Sequence, residues 1–129
     1  MGTVQRFEKL AIWTLARKLN HRTYLLIRTT SLGSDFVLRN QIDKSAGSVM
    51  DNIAEGFERE GNKEFIYFLS VAKGSCGEWR SQLMRAYDRD HVNENEFQEL
   101  DESALTLIKK IKTLINYLNR SRFKGSKFK

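Results

Sequence analysis

Two carboxylates, Glu55 and Glu78, stand among small and polar residues near the middle of the chain, Glu55 within NIAEG at 52–56 and Glu78 closing GSCGE at 74–78. Such a pair can do general acid and base work when one substrate reaches both. Other chemistry-bearing residues are sparse. Cys76 is the only thiol; it falls on an apolar helical stripe, where a small buried filler is expected rather than a nucleophile. His21 and His91 have no partners at ligand spacing, so no metal motif forms and no cofactor is called for. Asp88, Asp90 and Glu99 fit positions 1, 3 and 12 of a calcium loop, but Val92 takes a ligand position and Asn93 the glycine. No Gly-rich phosphate loop, HExxH or GxSxG occurs. Positive charge is the abundant resource: 22 Lys and Arg against 16 Asp and Glu, a net charge of +6.

Helices have to position these residues. A chain of 129 residues can bury one core without disulfides or metals. Its 40% apolar and 29% charged content is that of a soluble globular domain. With no proline and eight glycines, a sandwich or barrel is disfavoured, since many turns draw on both residues. One cysteine suits a reducing cytoplasm. No apolar signal run opens the sequence, Arg6 spoils a myristoylation pattern after Gly2, and no apolar run is long enough to cross a membrane.

Four helical stripes follow. Leu10, Trp13, Ala16, Leu19, Leu26 and Ile27 predict a first helix from Phe7 to about Thr30. Leu38, Ile42, Ala46, Val49, Ile53 and Phe57 predict a second, capped by Ser34 or Asp35 and stopped at Gly61. Asn62 is placed to cap a third, with Phe65, Phe68, Leu69, Ala72, Cys76, Trp79, Leu83 and Ala86 on its stripe. After a polar break at 88–95, Phe97, Leu100, Ala104, Leu107, Ile111, Leu114 and Leu118 mark the fourth. The expected fold is all-α, an antiparallel up-down-up-down four-helix bundle over 1–121, with a basic, flexible tail at 122–129.

Gly47, Gly56, Gly74 and Gly77 interrupt the second and third helices, each costing about 1 kcal/mol relative to alanine. Close backbone approach would offset that. A hairpin around Gly61 and Asn62 sets Ser45 opposite Gly77, Ser48 opposite Gly74 and Lys44 opposite Glu78, so SAGS at 45–48 meets GSCG at 74–77. Beside the apolar stripe runs a polar seam of Gln41, Ser45, Ser48, Asn52 and Glu55, answered by Ser75, Glu78 and Gln82. A half-buried network fixing helix register, with Lys44 and Glu78 as its ion pair, accounts for the seam. A pocket on Glu55 and Glu78 is the competing reading, but the hairpin sets Glu55 opposite Tyr67, too far along the axis for one small substrate to reach both.

The same residues carry a family resemblance. NIAEG at 52–56, preceded by Gln41, Ala46 and Ser48, together with the Gly-Ser pair and Glu of GSCGE at 74–78, resembles the four-helix-bundle proteins called 23S rRNA intervening-sequence proteins. Phe7, Leu10 and Trp13 resemble the family's opening pattern, so the likeness spans residues 7 to about 118. The chain departs from the pattern in two places: Ser31, Leu32 and Gly33 stand where a proline is usual, and Trp79 follows Glu78 where Leu is common. The resemblance implies a homopentamer with no established enzymatic activity. It also implies relatives that include the accessory variability protein of diversity-generating retroelements, which binds nucleic acid and a reverse transcriptase.

Charge patterning points the same way. Residues 88–102 hold seven acids against Arg89, whereas 103 onward holds eight bases and no acid. Arg17, Lys18, Arg22 and Arg28 on the first helix and Lys109, Lys110, Lys112 and Arg120 on the fourth would merge into one face if the two helices are neighbours. No interleaving of aromatic and basic residues suggests base readout; Phe123 and Phe128 lie in the tail, where they either stack on bases or do nothing. Off-stripe apolar residues, Ile66, Tyr67, Tyr24 and Leu25, suggest an oligomer. The expectation is a non-enzymatic, cytoplasmic, homo-oligomeric bundle binding RNA or DNA through a basic surface, largely without regard to sequence. A protein-binding adaptor engaging a reverse transcriptase or another acidic partner is the alternative.

Overall fold

The computed structural model describes residues 4–122. Apolar residues recurring every three or four positions wind into four helices: α1 Ala11–Thr29, α2 Phe36–Glu58, α3 Asn62–Asp88 and α4 Glu94–Arg122. Two 3-10 turns, Phe7–Lys9 and Ser31–Ser34, precede α1 and α2. Among the described residues there is no strand, and no helix is long and apolar enough to cross a membrane. The chain is an all-α, four-helix fold. Ser48 on α2 meets Ser75 on α3 while Ser45 meets Gln82, so residue numbers fall on one helix as they rise on the other. Arg80 with Asp101, and Asn62 with Leu118, show the same antiparallel order between α3 and α4.

The predicted stripes form the core. Ala16, Leu38, Ile42, Ile53, Leu69, Cys76, Trp79, Ala104 and Ile111 are wholly buried. Phe68, Trp13 and Phe97 are only half-buried; they sit on the flanks of their stripes. Leu32 and Val92 also join the core, although both lie in stretches that read as polar breaks. They close the end of the bundle that holds both connections.

Helix ends differ from the sequence reading in physical detail. The first helix does not begin at Phe7: Leu10 is extended (φ −77°, ψ 129°) and separates the 3-10 turn from α1. Asp35 caps α2, its carboxylate accepting from the Leu38 amide at 3.5 Å. Gly61, at φ +84°, is the residue before α3, a left-handed conformation that glycine adopts without strain. Asn62 is therefore not a cap but the first residue of α3, buried, its Nδ2 donating to the Leu118 carbonyl at 3.4 Å. At the C-terminus α4 takes in Arg122, the first residue of the expected tail; residues 123–129, with Phe123 and Phe128, lie outside the described ones.

The four interior glycines do not share one explanation. A Cβ at Gly56 would lie 2.6 Å from the Phe68 Cβ, so α2 and α3 approach there as closely as glycine allows. At Gly47, Gly74 and Gly77 a Cβ would meet nothing within 4 Å. The expected meeting of SAGS with GSCG through tight backbone contact is thus corrected: the serines meet, and these glycines face outward. Gly56→Ala should destabilise the fold by about 1–3 kcal/mol through overpacking. Gly47→Ala and Gly74→Ala should each stabilise it by about 0.4–1 kcal/mol by restricting the unfolded chain. Urea unfolding midpoints check the opposite signs.

Candidate nucleic-acid interface

The polar seam is a register device with two levels. In the deeper one the Ser45 hydroxyl donates to Gln82 Oε1, and both residues are buried. In the shallower one the Ser48 and Ser75 hydroxyls lie 2.8 Å apart, and Asn52 Nδ2 donates to Ser48 Oγ at 3.0 Å and to the Ser48 carbonyl at 2.8 Å. Ser48, Asn52 and Ser75 are thereby brought together. Gln41 and Glu55 are not part of it: Gln41 Oε1 accepts from Arg85 at 2.7 Å, and Glu55 is held by Arg59 at 2.9 Å, both at the surface. The expected Lys44–Glu78 ion pair is absent among the described residues. Both side chains are exposed; each stays in water, where an ion pair gains little. The level of Tyr67, opposite Glu55, is about 16 Å along α3 from Glu78, so no single small substrate bridges the two carboxylates.

Cys76 is buried at the α3–α4 contact, with Sγ 3.6 Å from the Ala104 carbonyl. Burial pushes its thiol up to about 12, far from a nucleophile's range.

The basic residues divide along the α1–α4 seam. One groove of about 760 Å³ has an apolar floor of Leu15, Leu19, Leu100 and Leu107, with Arg17, Lys18 and Arg22 on one bank and Glu99 and Glu102 on the other. Arg22 bridges it to Glu99 at 2.6 Å. A second groove of about 390 Å³, toward the start of α1, carries Lys110 and Arg120 beside Leu10, Ile12, Leu114 and Tyr117. Lys109 and Lys112 are exposed on α4, and Arg28 donates to the Tyr24 hydroxyl at 2.7 Å near the end of α1. The expected single basic face is therefore split. The acidic first turns of α4, where Glu94 and Glu96 also suit the helix dipole, lie beside the second half of α1 and neutralise it. The seam is basic only toward the other end.

The sequence reading missed the pairing of arginines with aromatic rings. Arg17 lies over Trp13 at 5.7 Å, Arg28 over Tyr24 at 5.5 Å and Arg39 over Phe36 at 4.8 Å. The signal was there: an aromatic residue followed by arginine four positions on occurs at Trp13 and again at Tyr24.

Residues 8–113 match the family model described as 23S rRNA-intervening sequence protein. The chain belongs to that family. A search of curated proteins found no match.

In this 23S rRNA-intervening sequence family member the two connections at one end are clamped together. His91 Nε2 lies 3.0 Å from Asp35 Oδ2, Arg89 donates to the same oxygen at 2.9 Å, and Ser31 Oγ lies 2.7 Å from His91 Nδ1. Asp90 makes this reach possible by taking φ +62°. The chain reverses there, with the His91 amide bonding back to the Ala86 carbonyl at 2.9 Å. Hydroxyl, imidazole and carboxylate stand in the order of a nucleophilic relay, but the carboxylate is shared with Arg89 and with the α2 cap, which makes it a clamp. The imidazole and guanidinium hold the Asp35 carboxyl down to about 2, against an ordinary 3.8. Its contribution to stability is whole above the ordinary value and is lost as the pH falls toward 2. Asp35→Asn should therefore lower the melting temperature at neutral pH and flatten its fall between about pH 4 and pH 2. Thermal unfolding followed by circular dichroism across that range is the check.

Proposed function

We propose that this protein binds RNA or DNA through the exposed cations of α1 and α4 in and beside the α1–α4 seam, by backbone attraction rather than base reading, and without an enzymatic step. One observation carries the reading. Arg17, Lys18, Lys109, Lys110, Lys112 and Arg120 are exposed, and among the described residues none of them is in an ion pair. Cations left without carboxylate partners are available to phosphates, and each phosphate neutralised releases condensed counterions. Membership of a family described by an rRNA insert supports the choice of partner. The functional unit on this reading is a homo-oligomer, supported by apolar surface that no intrachain partner covers: Tyr67 is 63% and Val37 69% exposed. Light scattering should give a mass well above the 15.0 kDa of one chain.

Replacing Arg17, Lys18, Lys109 and Lys110 by Glu should abolish binding to RNA and DNA with helicity unchanged. Wild-type affinity should fall steeply as salt rises, by roughly tenfold or more between 50 and 200 mM for a handful of phosphate contacts. Absence of binding at low salt would overturn the reading and leave the adaptor that engages an acidic protein.

A further inference from the structure

We propose that the outer flank of α1 and α2 binds an unpaired nucleic-acid strand, with bases stacking on the aromatic–arginine pairs at Trp13, Tyr24 and Phe36. The proposal rests on the nucleic-acid reading above and deepens it. It assigns single strands to a surface that meets the α1–α4 seam at Arg17 and extends from there toward α2.

Helical spacing puts the pairs on one strip. Asn20 defines the α2-facing side of α1, because its Nδ2 donates to the Ala46 carbonyl at 2.7 Å. Trp13 lies seven residues before Asn20 and Tyr24 four after, so all three share that side. Their arginines, Arg17 and Arg28, follow at the same four-residue step and lie over the rings. On α2, Gly47 stands on the other side of buried Ala46 from Ser45, which faces α3, and Phe36 precedes Gly47 by eleven residues, close to three full turns. Phe36 therefore lies on the flank of α2 that borders α1, with Arg39 over its ring.

Three features suit this flank to a strand. Tyr24 and Phe36 are 49% and 63% exposed, although rings of this size gain most by burial. Each carries a guanidinium, which offers a second planar surface for a base and a charge for a phosphate. Level with Asn20, and so between Trp13 and Tyr24 along the strip, Gly47 has no side chain, and a Cβ there would meet nothing within 4 Å. A base or sugar has room where any other residue would intrude. Duplex DNA or RNA hides its base faces in its own stack, so this chemistry recognises unpaired nucleotides. Asp43, one turn before Gly47, is an opposing charge on the same strip.

Fluorescence anisotropy with oligo(U), oligo(dT) and a duplex of equal length tests the proposal. The double variant Tyr24→Leu with Phe36→Leu, both at exposed positions, should lose about tenfold or more in single-strand affinity and leave duplex affinity unchanged. Asp43→Asn should tighten single strands by about two- to fivefold. Trp79 is wholly buried, so quenching of tryptophan emission by a single strand reports on Trp13. Comparing oligo(U) with oligo(dT) assigns the strand to RNA or DNA. Equal losses on strand and duplex, or no loss on the strand, would overturn the assignment while leaving the basic seam in place. Failure of the wild-type protein to bind any nucleic acid would overturn both.

Discussion

A buried hydrogen-bond chain between α1 and α3 fixes how those two helices face one another. The Trp79 indole N–H on α3 donates to Thr23 Oγ1 on α1 at 3.0 Å, and the Thr23 hydroxyl donates to the Leu19 carbonyl at 2.7 Å. Trp79 and Thr23 are both wholly buried. An indole that fills the core has to find an acceptor there, and leaving it unpaired would cost about 1–3 kcal/mol. Few rotations of α1 satisfy it. Once α1 is turned so that Thr23 faces Trp79, Asn20 points to α2 and Arg22 to α4. The charged and aromatic flanks are then set by the 3.6-residue period alone.

Residue type and spacing made the architecture legible. Four stripes predicted four helices, and their members fill the core, because burying one face is what makes a helix of this composition stable. The polar seam between α2 and α3 was legible in part. Ser45, Ser48, Asn52, Ser75 and Gln82 are short or flexible enough to meet between packed helices. Lys44, Glu55 and Glu78 share the spacing, but they are charged and stay in water, where exposed pairs gain little. Alternation could not show that Leu32 and Val92 turn inward from the connections, since a single apolar residue has no period. Nor could composition separate Gly56, pressed against Phe68, from Gly47 and Gly74, which touch nothing across the bundle. That distinction depends on where two backbones come closest.

Charge shows the same division between pattern and placement. The acidic run at 88–102 and the basic stretch after 103 are plain in the sequence. What they neighbour is a matter of chain direction: the acidic start of α4 lies beside the arginines in the second half of α1, with Arg22 and Glu99 as the visible bond. The net positive charge is therefore concentrated away from the clamped end, toward Lys110 and Arg120. A phosphate backbone is attracted to one part of the bundle rather than to all of it.

Burial of Cys76 has a consequence in time rather than in space. The thiol sits where α3 packs on α4, and a group held at about 12 has almost no reactive thiolate at neutral pH. Electrophiles and oxidants reach it only while those two helices are apart. The rate at which the sulfur is consumed is then set by how often the bundle opens, so the same residue that fills the core also keeps a record of its breathing.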